Sequence, residues 1–168
     1  MKKLIAVCGS DGEDTALSEH ALRTAETVGR LIAKNNCILV CGGRGGIMEA
    51  ACKGAKAEHG VTIGILPGSK DEANRFVDIA IPTYLGNMRN FLVVRSADVV
   101  IGIGGRWGTL NEISSAMNFE KPLILIEGTG GCVDLLVSGK IMQNIESTYC
   151  VAHSAEEAVT KALAFCKE

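Results

Sequence analysis

Seven short apolar runs recur along the chain, at 3–8, 37–41, 61–66, 77–82, 98–103, 122–126 and 147–151, with polar or helix-patterned stretches between them. The fifth lies in Ala97-Asp-Val-Val-Ile-Gly-Ile103 and is apolar throughout rather than alternating. That is the pattern of a parallel strand whose two faces are both covered by helices. Between the first two runs, residues 14–34 place Leu17, Ala21, Leu22, Ala25, Val28, Leu31 and Ile32 at helical spacing. Such a stripe covers one face of a sheet. The repeating strand–helix rhythm predicts an α/β fold: a doubly wound, mostly parallel sheet of about seven strands in three layers. Residues 67–75 read as a surface excursion, 81–86 as an extended exit leading to Arg89 at the next helix, and 154–168 as the final helix.

Three strands run directly into glycine clusters: Gly9-Ser10-Asp-Gly12, Gly42-Gly43-Arg44-Gly45-Gly46, and Gly102-Ile-Gly104-Gly105-Arg106-Trp107-Gly108. Right-handed crossovers put every strand-to-helix turn of a parallel sheet at the same edge. The three loops therefore predict one concave site at the strands' carboxyl ends, where such sheets bind ligands. The third cluster opens a helix at Thr109-Leu-Asn-Glu112. Glycines let backbone approach a ligand closely, and the unpaired N–H groups of a first helical turn point at whatever sits there. A phosphate is the natural guest, with Glu112 a turn away.

Thr109…Glu112 is also the spacing of a capping box, and Ser154-Ala-Glu-Glu157 repeats it with no glycines upstream. Spacing alone leaves Glu112 open between cap and functional acid. The glycine cluster favours an anion loop, because a cap needs none and each glycine costs roughly 0.5–1 kcal/mol relative to alanine. Other candidates carry the same duality. Arg44 and the amides of Gly42, Gly43 and Gly45 contact sugar or phosphate, or merely crowd a turn. Gly9 and Ser10 lie at the same edge, where the Ser10 hydroxyl serves a ligand or a simple turn. Trp107 stacks on a base or pterin, or packs over the sheet edge, and Met88 lines a base pocket or fills core.

Composition narrows the partners. A formal charge of -2 and 4% aromatic residues supply neither the basic surface nor the stacking platform that nucleic acids need. Seven cysteines, an odd number without a C-x-x-C pair, read as reduced core residues, and with scattered histidines they give no metal-ligand spacing. The few apolar residues before Gly9 are too short for a signal segment, and no run reaches the ~20 of a membrane helix. A single domain over 1–168, soluble and cytoplasmic, is expected. Trp107 stands where the third glycine of a dinucleotide fingerprint belongs, and neither a P-loop nor a pyridoxal-phosphate lysine motif is found.

At Gly42-Gly-Arg-Gly-Gly-Ile-Met-Glu-Ala50, Met88-Arg-Asn90 and Gly104-Gly-Arg-Trp-Gly-Thr-Leu-Asn-Glu112, the chain resembles the LONELY GUY-like Rossmann superfamily, once mislabelled lysine decarboxylases. Arg89-Asn90, Arg95-Ser-Ala-Asp98 and Trp107-Gly-Thr-Leu resemble the branch that holds molybdenum-cofactor carrier proteins. The resemblance implies a Rossmann-like, homo-oligomeric protein that binds a nucleoside 5′-monophosphate or related phosphorylated ligand. Enzymes of the wider family hydrolyse N-glycosidic bonds of such nucleotides, which puts Arg89 and Glu112 in the catalytic positions. Glu112 would then stabilise the charge developing on the sugar, and Arg89 would hold it ionised. Gly104, Gly105, Arg106, Trp107, Gly108 and Thr109 would hold the phosphate. The chain departs from those enzymes at Gly104-Gly105-Arg106, where they carry Pro-Gly-Gly, and at Asn90, where they carry lysine. The alternative is a non-catalytic molybdenum-cofactor carrier or nucleotide sensor. No cofactor is required in either case, though AMP or molybdenum cofactor is a candidate guest.

Overall fold

The computed structural model describes residues 1–141 and 148–166. Seven strands form one all-parallel sheet: β1 (Leu4–Gly9), β2 (Ile38–Cys41), β3 (Thr62–Leu66), β4 (Ile79–Pro82), β5 (Val99–Ile103), β6 (Leu123–Ile126) and β7 (Cys150–Ala152). Their order is β4-β3-β2-β1-β5-β6-β7, so the winding reverses between β1 and β5. In sheets of this kind the reversal opens a crevice at the strands' carboxyl ends.

Among the described residues six α-helices cover the sheet: α1 (Glu19–Lys34), α2 (Ile47–Ala57), α3 (Asn90–Ser96), α4 (Trp107–Asn118), α5 (Gly131–Val137) and α6 (Ala155–Phe165). α1, α2 and α6 share one core with Ile5, Val7, Leu39, Ile101 and Ile124. α3, α4 and α5 share the other with Ala6, Cys8, Val40, Val100 and Leu125. Alternate residues of one strand thus serve opposite cores. This is why the central strands are apolar at nearly every position: every residue of β5 and of β6 is buried. Edge strand β4 alternates exposed and half-buried positions instead.

The predicted elements need adjusting at their ends. α1 begins at Glu19 rather than 14, because Ser18 caps it by accepting from the Ala21 N–H, while Asp14 takes part in a preceding turn. Of the predicted stripe, Ala21, Ala25, Val28 and Ile32 are buried and the three leucines only half-buried. Within 67–75 one short 3-10 turn forms at Lys70–Glu72, and another at Gly86–Arg89 leads into α3. Residues 147 and 167–168 of the predicted last strand and helix lie outside the described residues. Five of the seven cysteines are buried and none is bridged. Among the described residues, no helix is long and apolar enough to cross a membrane.

Candidate functional site

The three glycine loops do converge. Gly12 packs against Gly45 and Gly46, and beside them, at the β1/β5 reversal, opens a cavity of about 300 Å³. Sites for small molecules span about 300–1,000 Å³, so this one suits a single nucleotide- or pterin-sized molecule. Its floor is an ion pair. Arg89 Nη1 donates to Glu112 Oε1 at 3.3 Å, with the two side chains 9% and 7% exposed.

Three independent features put those two side chains there. Arg89 ends the 3-10 turn before α3, and Asn90 beside it donates to the Gly108 carbonyl and the Asn111 side chain, tying α3 to the first turns of α4. Gly42, just after β2, has no side chain where the Arg89 guanidinium lies; a Cβ there would sit 2.4–2.6 Å from Nη2, Nη1 and Cζ. Glu112 lies on the inward face of α4, where the Cys8 thiol of β1 also hydrogen-bonds to it. The guanidinium makes no other hydrogen bond within the described residues, and its buried Nε has no partner. A buried donor without an acceptor costs about 1–3 kcal/mol, a cost that the Arg89 seat carries in this fold.

Burial, not Arg89, governs Glu112. Desolvation pushes its carboxyl up to about 7, while Arg89 and the Cys8 thiol pull the other way without prevailing. The expectation that Arg89 keeps the acid fully ionised is therefore corrected: near neutral pH Glu112 is poised between its two states. The same burial, together with the nearby Glu112 charge, raises the Cys8 thiol well above its usual range.

The cap alternative for Glu112 fails on geometry. α4 starts at Trp107, two residues before Thr109; its N-cap is Arg106 and no side chain caps it. Two glycines account for the early start. Gly104 and Gly105 have φ of +57° and +95°, a conformation L side chains rarely adopt, and a Cβ on Gly105 would run into Thr109. The turn they make is held from the next loop: Thr129 Oγ1 accepts from Gly104 N–H, and the Cys132 and Val133 N–H groups donate to the Gly105 and Gly104 carbonyls. As a result α5 uses its own first-turn donors to hold this turn. The N–H groups of Gly105, Arg106, Trp107, Gly108 and Thr109 find no acceptor among the described residues. All but Gly105 belong to residues of the cavity wall, which thereby gains a positive, donor-rich end.

The cavity wall brings together Gly9, Ser10, Arg44, Arg89, Arg106, Trp107, Gly108, Thr109 and Glu112 from the sequence-predicted set. Gly104 and Gly105 border an adjoining cavity instead. Gly42 acts beneath Arg89, Gly43 turns toward Leu66 and Gly64, and Gly45 packs on Asp11 and Gly12, so none of the three lines the wall. Met88 points outward and is not a lining residue either; Asn87 holds that place. Trp107 is 81% exposed at the rim rather than packed over the sheet.

Sequence reasoning missed the acids of the β1–α1 loop. Asp11, Glu13 and Asp14 line the same cavity. Asp11 pairs with Arg44 at 3.2 Å, and Asp14 accepts from the Ser10 hydroxyl and the Ala16 N–H. The Ser10 bond chiefly holds Asp14 below the usual carboxylate range. Their signal was present in the run Asp11-Gly-Glu-Asp14 straight after the first glycine turn. The site is thus polarised, with carboxylates on the β1 side and free amides with Arg106 on the α4 side. Among the described residues no three His, Cys, Asp or Glu side chains gather to hold a metal ion.

Known proteins are similar to this chain in sequence and in fold. The model of the SLOG cluster4 family matches residues 2–161. An uncharacterized protein of Archaeoglobus fulgidus is 44% identical over 116 residues, 66% of this chain and 77% of that one. The molybdenum cofactor binding protein of the phototrophic bacterium Rippkaea orientalis superposes with a TM-score of 0.85 at 36% identity, over 99% of this chain and 98% of its own. The molybdenum cofactor carrier protein of Chlamydomonas reinhardtii does so with a TM-score of 0.84 at 32% identity, over 99% of this chain and all of its own.

Proposed function

This chain belongs to the SLOG cluster4 family, within the LONELY GUY-like Rossmann branch that includes molybdenum cofactor carriers, and we propose on that premise that it binds and carries a phosphorylated heterocycle of the molybdenum-cofactor class. One observation carries the reading: the unpaired amides of Arg106, Trp107, Gly108 and Thr109 and the buried Arg89–Glu112 pair belong to residues that line a single cavity. The phosphate sits on the α4 amides beside Arg106, where charge and donors coincide. The ring system lies over Arg89 and Glu112 with Trp107 at its edge. The test is retention of molybdenum cofactor, released from a donor enzyme, through gel filtration of the purified protein. Retention that falls at least tenfold in Arg89→Met supports the carrier; loss of the pterin from wild type at every concentration sinks it.

A second reading, hydrolysis of nucleoside 5′-monophosphates, is favoured by Glu112 alone. A carboxyl brought up to about 7 at the floor of the cavity is matched to proton transfer at neutral pH. Its ionised form would stabilise the positive charge that grows on the sugar as the N-glycosidic bond breaks, and would orient water. Free adenine and ribose 5-phosphate from AMP, lost in Glu112→Gln, would establish this activity. Intact AMP after prolonged incubation leaves the carrier reading standing alone.

Self-association belongs to the same proposal. Tyr84, Leu85, Met88, Phe91 and Leu92 form a run of exposed apolar side chains from the β4–α3 connection into α3. Apolar surface of this kind is characteristic of interfaces. Light scattering of wild type against Phe91→Glu, with a drop in mass expected for the variant, decides it.

A further inference from the structure

Beneath the loop that seats Arg89 lies a pair of thiols for which ligand binding has no use. Cys41 ends β2 and Cys52 lies on α2, with their sulfurs 3.6 Å apart and both side chains fully buried. All seven cysteines are free, and among the described residues this is the one pair whose sulfurs meet in a hydrogen bond. A disulfide needs about 2.05 Å between its sulfurs, so an approach of about 1.5 Å separates these two thiols from a bond.

The two sulfurs are not equivalent. Gly43 N–H donates to Cys41 Sγ at 3.3 Å, and the Arg89 guanidinium lies over the neighbouring Gly42. The hydrogen bond with Cys52 above all, then the Gly43 N–H and the Arg89 charge, hold Cys41 below the ordinary thiol range against its burial. The same bond and burial push Cys52 well above it. Cys41 is therefore the nucleophile of the pair, and Cys52 keeps its proton. Their place in the chain matters as much as their proximity. Cys41 leads straight into Gly42, while the Asn74 side chain holds the carbonyls beyond it by donating to those of Gly43 and Arg44. A pull on Cys41 is thus taken up at Gly42, under the cation of the Arg89–Glu112 pair.

We propose that Cys41 and Cys52 form a redox-sensitive couple that a peroxide closes into a disulfide, and that the bridge draws Gly42 from its place under Arg89 and weakens the guanidinium's hold on Glu112. The Cys41 thiolate attacks one peroxide oxygen, breaking the O–O bond to give a sulfenic acid and hydroxide. The Cys52 sulfur then displaces the sulfenic oxygen, which leaves as water with the Cys52 proton while the S–S bond forms. Two thiols are oxidised and one peroxide is reduced to two waters. Hydrogen peroxide is close to water in size, so it reaches buried sulfurs through small local openings that exclude a bulkier oxidant.

Peptide mapping of reduced wild type after hydrogen peroxide, quenching with catalase and alkylation in urea tests the bond. A linked Cys41–Cys52 peptide that dithiothreitol separates is expected. Oxidation confined to the partly exposed Cys150 and Cys166, or bridges among other cysteines, overturns the couple. Cys52→Ala leaves Cys41 without its partner, so peroxide should form no bridge there; one to another cysteine also overturns the pairing. Carbon-13 NMR of the Glu112 carboxyl, assigned with Glu112→Gln, tests the link to the cavity floor. Its titration at about 7 in the reduced protein should move upward on oxidation, with a proton affinity about tenfold higher, and return with dithiothreitol. A complete bridge that leaves this titration unmoved overturns the link, whether or not any ligand binds above it.

Discussion

Two helices of this protein begin near the same four-residue spacing, and the two glutamates it places meet opposite fates. At α6, Ser154 is the N-cap and accepts from the Glu157 N–H at 3.1 Å, while the Glu157 carboxylate reaches back to the His153 N–H at 2.8 Å. Glu157 stays in solvent, and its hydrogen bonds from Lys161 and His153 keep it ionised below the usual range. At α4, Thr109 is already inside the helix, and Glu112 turns inward onto Arg89 and rises to about 7. The side-chain types are the same. What differs is the backbone before the helix: two left-handed glycines start α4 early and rotate its fourth-position acid from the cap to the floor of a cavity. A capping spacing therefore identifies a cap only where the preceding backbone allows the helix to begin at the Ser or Thr.

Removing Arg89 breaks the comparison most severely. Arg89→Met leaves a buried carboxylate without its cation, and losing one partner of a buried pair costs about 3–5 kcal/mol. The loss should depend on pH. Without the cation Glu112 rises further above about 7, so below that pH it protonates and needs no partner. Urea unfolding at pH 8 should show the full cost and at pH 5 only a fraction of it; equal losses at both would mean that Glu112 is not the group left stranded.

Glu112→Gln isolates the acid itself. Its native pKa of about 7 exceeds its ordinary value of 4.5, so between those pH values the folded state holds more protons than the unfolded one. Stability from this group is complete below 4.5 and falls as pH rises through about 7, by about 3 kcal/mol in all. In the glutamine variant that decline should vanish, giving a stability difference from wild type that grows toward alkaline pH in the variant's favour. A wild-type profile without the decline would show that Glu112 is solvated.

Gly42→Ala tests the seat rather than the charge. The new methyl group would occupy the space of the guanidinium. Displacement of a flexible side chain costs about 1–3 kcal/mol, the range for overpacking. Combined with Arg89→Met the same alanine should add little, because nothing is left to displace; additive losses would separate Gly42 from Arg89.

These couplings mark the limit of what the chain discloses by itself. The sheet was legible because burial on both faces writes itself as consecutive apolar residues in β5 and β6, and the site's edge was legible because glycines follow three strands. Neither the Gly42–Arg89 contact nor the Thr129–Gly104 bond could be read, since each joins residues brought together only by sheet order. The start of α4 was misplaced for a local reason. Arg106 and Trp107 give no start signal of their own, and positive φ at Gly104 and Gly105 is a property of the folded turn rather than of glycine as such. Asp14 went unread because its partner Ser10 lies within a glycine turn, where a hydroxyl passes for a simple cap.

The smallest effect lies at the other helix and has the opposite sign in pH. Ser154→Ala removes a side-chain cap, which costs about 1 kcal/mol and should leave ligand binding untouched, since Ser154 lies outside the cavity. Glu157 then supplies the contrast with Glu112. Its native pKa lies below the ordinary value, so its contribution is present above that value and disappears as pH falls through the native one, whereas Glu112 loses its contribution as pH rises. Glu157→Gln should therefore flatten a shallow acid limb of the stability profile and leave the slope near neutrality unchanged. If instead it altered the neutral slope, or Glu112→Gln altered the acid limb, the two glutamates would not be the distinct groups their surroundings make them.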